Sequence, residues 1–368
     1  MTSSPSHPKA SQADWSDPDP IDPNGPSDPN AGIFGLSIPP DRAEVIVVPV
    51  PFDATASYRQ GAADAPSALL KASHQIDLLD SVAGEPYRKG IAMLDHPAQV
   101  ERWNRKARSL AAPIHKAGGA GMNDHALHHN LEQVNALCEE LNDYVYHNVK
   151  KWLAAGRLVA TLGGDHATPF GAIRAHAERS PGMAILHIDA HADCRRAYEG
   201  FVWSHASIMA NVCERIPEVS AIIQVGVRDY CQEEEEFIAG SGGRIRTHLD
   251  TDLSFRRYRG EPWFDLVNEI IDPLPEHVYI SFDIDGLDPA LCPHTGTPVP
   301  GGLQFNEALA LLHALVESGR IVVGFDLCEI APGPEGDEWD ANVGARLLYK
   351  LIGLSIRSRG GKKGGGTG

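Results

Sequence analysis

Several things are scarce in this 368-residue chain, and each scarcity closes off a class of function. No apolar run is long enough to cross a bilayer, so no membrane partner is expected. Residues 1–30 are rich in Pro, Asp and Ser without a hydrophobic stretch, which fits neither a signal peptide nor an arginine-rich transit peptide. Basic residues are few: 32 Lys and Arg stand against 49 Asp and Glu, a formal net charge of -17. That balance argues against a nucleic-acid partner, whose phosphates need clustered Lys and Arg. The six cysteines, Cys138, Cys194, Cys213, Cys231, Cys292 and Cys328, include no Cys-X-X-Cys pair, as suits a reducing cytoplasm. No phosphate-binding P-loop and no dinucleotide fingerprint occurs.

What is present is a recurring pattern of apolar runs ending in polar clusters. Runs at 44–50, 157–162, 183–188, 221–227, 278–282 and 321–327 alternate with helical stretches, among them 168–179, one from 306 and one from about 337 towards 356. Alternation of this kind predicts an α/β fold, three layers with a central, mainly parallel sheet. Residues 32–356 read as one domain, with 1–31 as a disordered leader and 357–368 as a flexible Gly and Lys tail.

Three of the runs end in metal-ligand chemistry. Asp189, His191 and Asp193 alternate in sequence, as do Asp283 and Asp285, so in extended chain each set shares a face. Gly163-Gly164-Asp165-His166 closes a third run, where the glycines allow a tight turn. A lone Asp-X-Asp is commonly a solvated turn or a helix cap. Three such ends in one chain point instead to two divalent ions, since carboxylates crowded together need a cation and imidazole suits a borderline one. Open α/β sheets bind ligands outside the carboxyl ends of their strands, and Glu329 follows another run in the same way. His125, His128 and His129 lack acidic partners at ligand spacing and read as an exposed helical face.

Gly163-Gly164-Asp165-His166, Asp189-Ala190-His191-Ala192-Asp193 and Ser281-Phe282-Asp283-Ile284-Asp285-Gly286-Leu287-Asp288-Pro289, in this order, resemble the ureohydrolase family of arginases, agmatinases and their relatives. The resemblance spans about 44–356. It implies the arginase-like fold, a homo-oligomer (trimer or hexamer), and two Mn²⁺ or Ni²⁺ ions. His166 and Asp193 would hold one ion and His191 and Asp285 the other, with Asp189 and Asp283 bridging. A hydroxide aimed by Asp193 would attack a guanidinium held by Glu329, and His205 would protonate the leaving nitrogen. Asp288 before Pro289 reads as a turn-former.

The loop 195–207 bears on substrate. Arginases carry Asn, Ser and Thr there, whereas this chain has Arg195, Arg196, Tyr198, Phe201 and Trp203. Aromatic residues would narrow the pocket around a small cation, and with Thr55 they are the expected lining. Ser204-His205-Ala206-Ser207 and the segment 51–58 are similar to a branch that includes guanidine hydrolases. Guanidine is therefore the leading substrate, with agmatine and guanidinobutyrate as alternatives. An inactive partner subunit would have lost ligands, and none is lost.

Overall fold

The structure is a computed structural model that describes residues 22–121 and 124–360. Its strands are β1 (Val45–Pro49), β2 (Ile91–Met93), β3 (Leu158–Leu162), β4 (Ala184–Ile188), β5 (Ala221–Val227), β6 (Ile245–Leu249), β7 (His277–Asp283) and β8 (Ile321–Cys328). They form one sheet in the order β2-β1-β3-β8-β7-β4-β5-β6. Every pairing is parallel. The six apolar runs of the sequence all become strands. The two strands without such a run, β2 and β6, are the edges: β2 has only 3 residues, and β6 buries only Ile245. Edge strands are covered less, so they lose the continuous apolar signature.

Among the described residues ten α-helices cover the sheet: α1 (Ala65–Ser73), α2 (Ala98–Ala117), α3 (His125–Ala154), α4 (Phe170–Arg179), α5 (Ile208–Arg215), α6 (Gln232–Gly240), α7 (Asp250–Tyr258), α8 (Trp263–Ile271), α9 (Phe305–Glu317) and α10 (Trp339–Arg359). Strand side chains alternate faces, so Val45 and Val47 share an apolar layer with residues of α1, α8, α9 and α10, while Ile46 and Val48 share the opposite layer with residues of α2, α3, α4 and α5. Two apolar layers result, and the αβα sandwich follows from them. Among the described residues no helix is long and apolar enough to cross a membrane.

The chain ends differ from expectation. Within the expected leader, residues 22–31 form turns closed by Asp22 and Asp28, whose carboxylates accept from the N–H groups of Asn24 (3.0 Å) and Asn30 (2.9 Å). Residues 1–21 lie outside the described part. The tail begins later than residue 357, because α10 continues to Arg359. There the Ser358 hydroxyl accepts from Val322 N–H at 3.0 Å and Arg359 Nε donates to Val322 O at 3.2 Å, tying the last turn to β8.

The glycine pair after β3 is required for space rather than for a left-handed turn. Neither residue has positive φ. A Cβ on Gly164 would fall 1.8 Å from Phe52 O, and one on Gly163 would fall 2.4 Å from Thr168 Oγ1. Gly164→Ala should therefore destabilise the fold by about 1–3 kcal/mol or more, the scale of overpacking. A thermal melt that matched wild type would mean that the Phe52 segment yields at no cost.

Candidate metal centre

β3, β8, β7 and β4 are neighbours in the sheet but distant in sequence. Their carboxyl ends bring His166, Glu329, Asp283 and Asp189 to one rim. The local backbone is not the extended alternation that the sequence suggests. β4 stops at Ile188, His191 makes a single bridge to Asp229, and Asp193 turns into the left-handed region at φ +52°. Asp193 is locked there because its carbonyl accepts from Met209 and Ala210 N–H, at 3.0 and 3.2 Å, as α5 begins. Asp285 lies in a 3₁₀ turn whose entry is capped by Asp283, which accepts from Asp285 N–H at 2.9 Å. Glu329, at φ +62°, is the other non-glycine left-handed residue of the rim. Strain of this kind, of order 1–3 kcal/mol per residue, persists where the surroundings over-determine the backbone.

The side chains converge into two overlapping groups. His166 Nδ1 lies 2.9 Å from Asp189 Oδ2, 3.0 Å from Asp193 Oδ2 and 3.4 Å from Asp283 Oδ2. His191 Nδ1 lies 3.2 Å from Asp285 Oδ2 and 3.4 Å from Asp189 Oδ1. Asp189 thus faces one group with each oxygen. All six candidate ligands are in contact with at least one other, and all but His191 are buried.

Outer partners fix the imidazoles. The Ser281 hydroxyl donates to Asp326 Oδ1 at 3.1 Å, so its oxygen is left to accept from His166 Nε2 at 2.9 Å. His166 Nδ1 is then the nitrogen aimed at the carboxylates. Sequence reasoning missed His187, which is fully buried with Nε2 2.9 Å from Asp189 Oδ2. Thr247 donates to Gln224 Oε1 at 2.7 Å, leaving Gln224 Nε2 to donate to Ala192 O at 2.7 Å and to face His187 Nδ1 at 3.1 Å. His187 therefore carries its proton on Nε2 and donates to Asp189, which makes it a support and not a ligand. The signal was available: His187 sits two residues before Asp189, on the same strand face, inside an apolar run.

The electrostatics call for cations. Burial, then the neighbouring Asp285, Asp189 and Glu329, pushes Asp283 well above the usual carboxylate range. Burial and the charge of Asp189 push Asp193 up to about 7. Burial opposes a charged His191, yet Asp285 and Asp189 drive it up to about 12. Protons on the histidines thus offset a cluster of carboxylates that would otherwise repel one another. Imidazole nitrogens and carboxylate oxygens gather around Asp189, on one side with His166 and Asp193 and on the other with His191 and Asp285, and such a donor set fits a pair of divalent ions.

Beside the cluster is a cavity of about 160 Å³ lined in part by Ser57, His191, Asp193, Tyr198, His205 and Thr297, with Arg195, Asp229, Tyr230 and Glu234 also on its wall. Several expected lining residues are elsewhere. Trp203 turns into the core, its ring centroid 4.8 Å from that of Phe170 and its Nε1 donating to Glu139 at 3.4 Å. Phe201 packs on His115 in the same layer. Thr55 is fully buried and acts through His205: its hydroxyl donates to Asp165 at 2.7 Å and accepts from His205 N–H at 3.1 Å. Glu329 is buried with Oε1 accepting from His166 N–H at 2.9 Å, and it does not line the cavity. Asp288 caps a turn, accepting from Ala290 N–H at 2.8 Å. His125, His128 and His129 open α3, away from the cluster. Burial pushes the thiols of Cys194 and Cys328 well up, which makes them inert packing groups.

A model of the arginase family matches residues 43–353. The chain is 30% identical over 328 residues to N(1)-aminopropylagmatine ureohydrolase of Thermus thermophilus, covering 88% of this chain and 94% of that protein. It is 32% identical over 222 residues to agmatinase of Proteus mirabilis, covering 60% of this chain and 67% of that one. Among solved structures, agmatine ureohydrolase of Thermoplasma volcanium shares the fold, with a TM-score of 0.66 at 24% identity over 87% of this chain and 92% of that chain.

The hydrogen bond from His187 to Asp189 predicts the effect of removing it. His187→Ala should weaken divalent-ion affinity by about 10–100-fold, as loss of a supporting partner commonly does. Titration calorimetry of the metal-stripped protein with Mn²⁺ or Ni²⁺ measures this, and wild-type affinity would show that Asp189 needs no such support.

Proposed function

Because the chain belongs to the arginase family and is a ureohydrolase acting on guanidino C–N bonds, we propose that it hydrolyses free guanidine to urea and ammonia. In this reading His166, Asp189, His191, Asp193, Asp283 and Asp285 would hold two divalent ions, manganese or nickel. Two such ions supply positive charge and a water acidic enough to ionise near neutral pH. Homo-oligomeric assembly, as a trimer or hexamer, and a cytoplasmic setting belong to the same reading. The latter is supported by cysteines that are all free thiols.

The chain's own residues do the rest. Glu329 Oε1 is committed to His166 N–H, so Oε2, beside Gly296, is the oxygen that accepts guanidinium N–H groups. Asp193, on the cavity wall, accepts a hydrogen bond from the attacking water and aims it. His205 Nε2 lies 3.4 Å from Ser57 Oγ, and its Nδ1 lies 3.4 Å from Ser204 Oγ. Burial, then the charge of His191, pushes His205 down to about 4, so it is neutral at pH 7. In this reading it would relay to the departing nitrogen the proton that the attacking water gives up.

The observation that carries the choice of guanidine is the outer wall of the cavity. Arg195 stacks 5.0 Å above Tyr198 there, 3.6 Å from Glu234, and its charge would oppose the ammonium of a tailed substrate. One feature favours agmatine as the second reading: Asp229, exposed at the rim, offers a carboxylate to such an ammonium.

Guanidine should show a higher kcat/KM than agmatine, guanidinobutyrate or arginine when urea release is measured after separate Mn²⁺ and Ni²⁺ loading. Tyr198→Ala should shift preference towards tailed substrates, with a loss for guanidine of about 1 kcal/mol if a stacking contact goes. Faster turnover of agmatine by wild type under both metals would select the second reading. His205→Asn should lower kcat by about 10²-fold with metal content intact, the scale of lost proton transfer. An unaltered pH-rate profile in that variant would leave His205 a structural residue.

A further inference from the structure

The rim opposite the metal cluster carries the reverse charge. A cavity of about 220 Å³ lies at the amino ends of β7 and β8 and beside the ends of α3, α4 and α10, lined by Arg157, His176, Arg179, His277 and Arg359 among others. No Asp or Glu lines it. Among the described residues, none of the three arginines makes a salt bridge, although the chain as a whole is strongly acidic. The nearby acids are already taken. Glu44 pairs with Lys89 at 3.3 Å, and Glu317 pairs with Arg357 at 2.5 Å.

The fold also leaves these guanidiniums short of acceptors. Arg359 gives Nε and Nη2 to the carbonyls of Val322 and Val323, at 3.2 and 2.5 Å, while Arg157 gives Nη2 to Asp41 O at 2.6 Å. Arg157 Nε is buried without a partner, and Arg179 makes no side-chain hydrogen bond among the described residues. The groups feel one another. Burial and then Arg179 hold Arg359 below its usual value, and burial pushes His176 down to about 4 with Arg359 and Arg179 acting in the same direction. Arginines in the last turn of a helix do complement its dipole, and this accounts for Arg179 and Arg359 singly. It does not account for their meeting Arg157 around one cavity with no counter-charge.

We infer that this cavity binds a small oxyanion of the phosphate class, held by Arg157, Arg179 and Arg359. Guanidinium forks match tetrahedral oxyanions, and a partly enclosed site strengthens the pairing. The cavity shares Arg157, Gly156, Ile321 and Arg359 with a groove of about 1420 Å³, which gives an attached organic group room to extend. Free phosphate and a phosphomonoester are thus the two sources of the same ligand chemistry.

Titration calorimetry on the metal-loaded enzyme, with inorganic phosphate and glycerol 3-phosphate at constant ionic strength, tests the inference. One saturable site per chain is expected, weakened at least 10-fold in Arg179→Gln and in Arg157→Gln, and less in Arg179→Lys. Tighter binding of glycerol 3-phosphate would identify the phosphomonoester as the source, and equal or weaker binding would identify free phosphate. Urea release and melting temperature matching wild type would show that the variants are folded. Absence of saturable binding, or binding that survives in both Gln variants and inhibits urea release, would overturn the inference, the latter by placing the anion on the metal cluster. A change in oligomeric state in the variants without anion binding would also overturn it, since a neighbouring subunit's carboxylate would then be the counter-charge.

Discussion

Mutual repulsion among buried carboxylates is the constraint on which the rest of this structure depends. Asp189, Asp193, Asp283, Asp285 and Glu329 are all buried at one rim of the sheet. Ionised carboxylates in a low-dielectric site cost several kcal/mol each unless paired, so no chain would assemble this cluster for stability. The scaffold tolerates it because four adjacent parallel strands end there, and their backbones are held by ladders that the site does not disturb. In the proposed reading cations at the centre turn the liability into the function, and a site that demands positive charge is also one that would admit a cationic substrate.

Holding such a cluster requires more than ligands. Two chains of hydrogen bonds run outward from it: His166 to Ser281 to Asp326, and Asp189 to His187 with Gln224 and Thr247 behind. The first sets which nitrogen of His166 is left for a metal, and the second sets which nitrogen of His187 donates to Asp189. A third runs from Asp165 through Thr55 to the backbone of His205, linking the segment after β1 with the loop after β4. Thr55 matters to chemistry through that link, without reaching the substrate cavity itself.

The sequence made the central strands and the ligand set legible because both leave short-range marks: continuous apolar runs, and Asp and His placed directly after them. It could not show the edge strands, since β6 reads Ile245-Arg246-Thr247-His248-Leu249 and is half solvated. It also misplaced Trp203 and Phe201. Aromatic residues in a loop next to ligands look like pocket walls, but whether a loop side chain turns inward or towards the core depends on the helices beneath it. Here α4 supplies an apolar seat through Phe170, and Glu139 of α3 accepts from Trp203 Nε1. Convergence of Asp193 and Asp285 was foreseen for the wrong local reason, because turns and a left-handed residue achieve what strand alternation was expected to do.

The two rims of the sheet can be read as one electrostatic arrangement. Carboxylates gather where strands end and arginines gather where β7 and β8 begin, separated by the length of those strands. Neither grouping is needed to fold an αβα sandwich, whose cores on both faces are apolar and continuous. Charges that a core does not need, and whose partners within the chain leave them short of full counter-charge, are completed from outside the chain. In the proposed reading that completion is metal and guanidinium for the acidic rim, and for the basic rim the same reasoning calls for an anion.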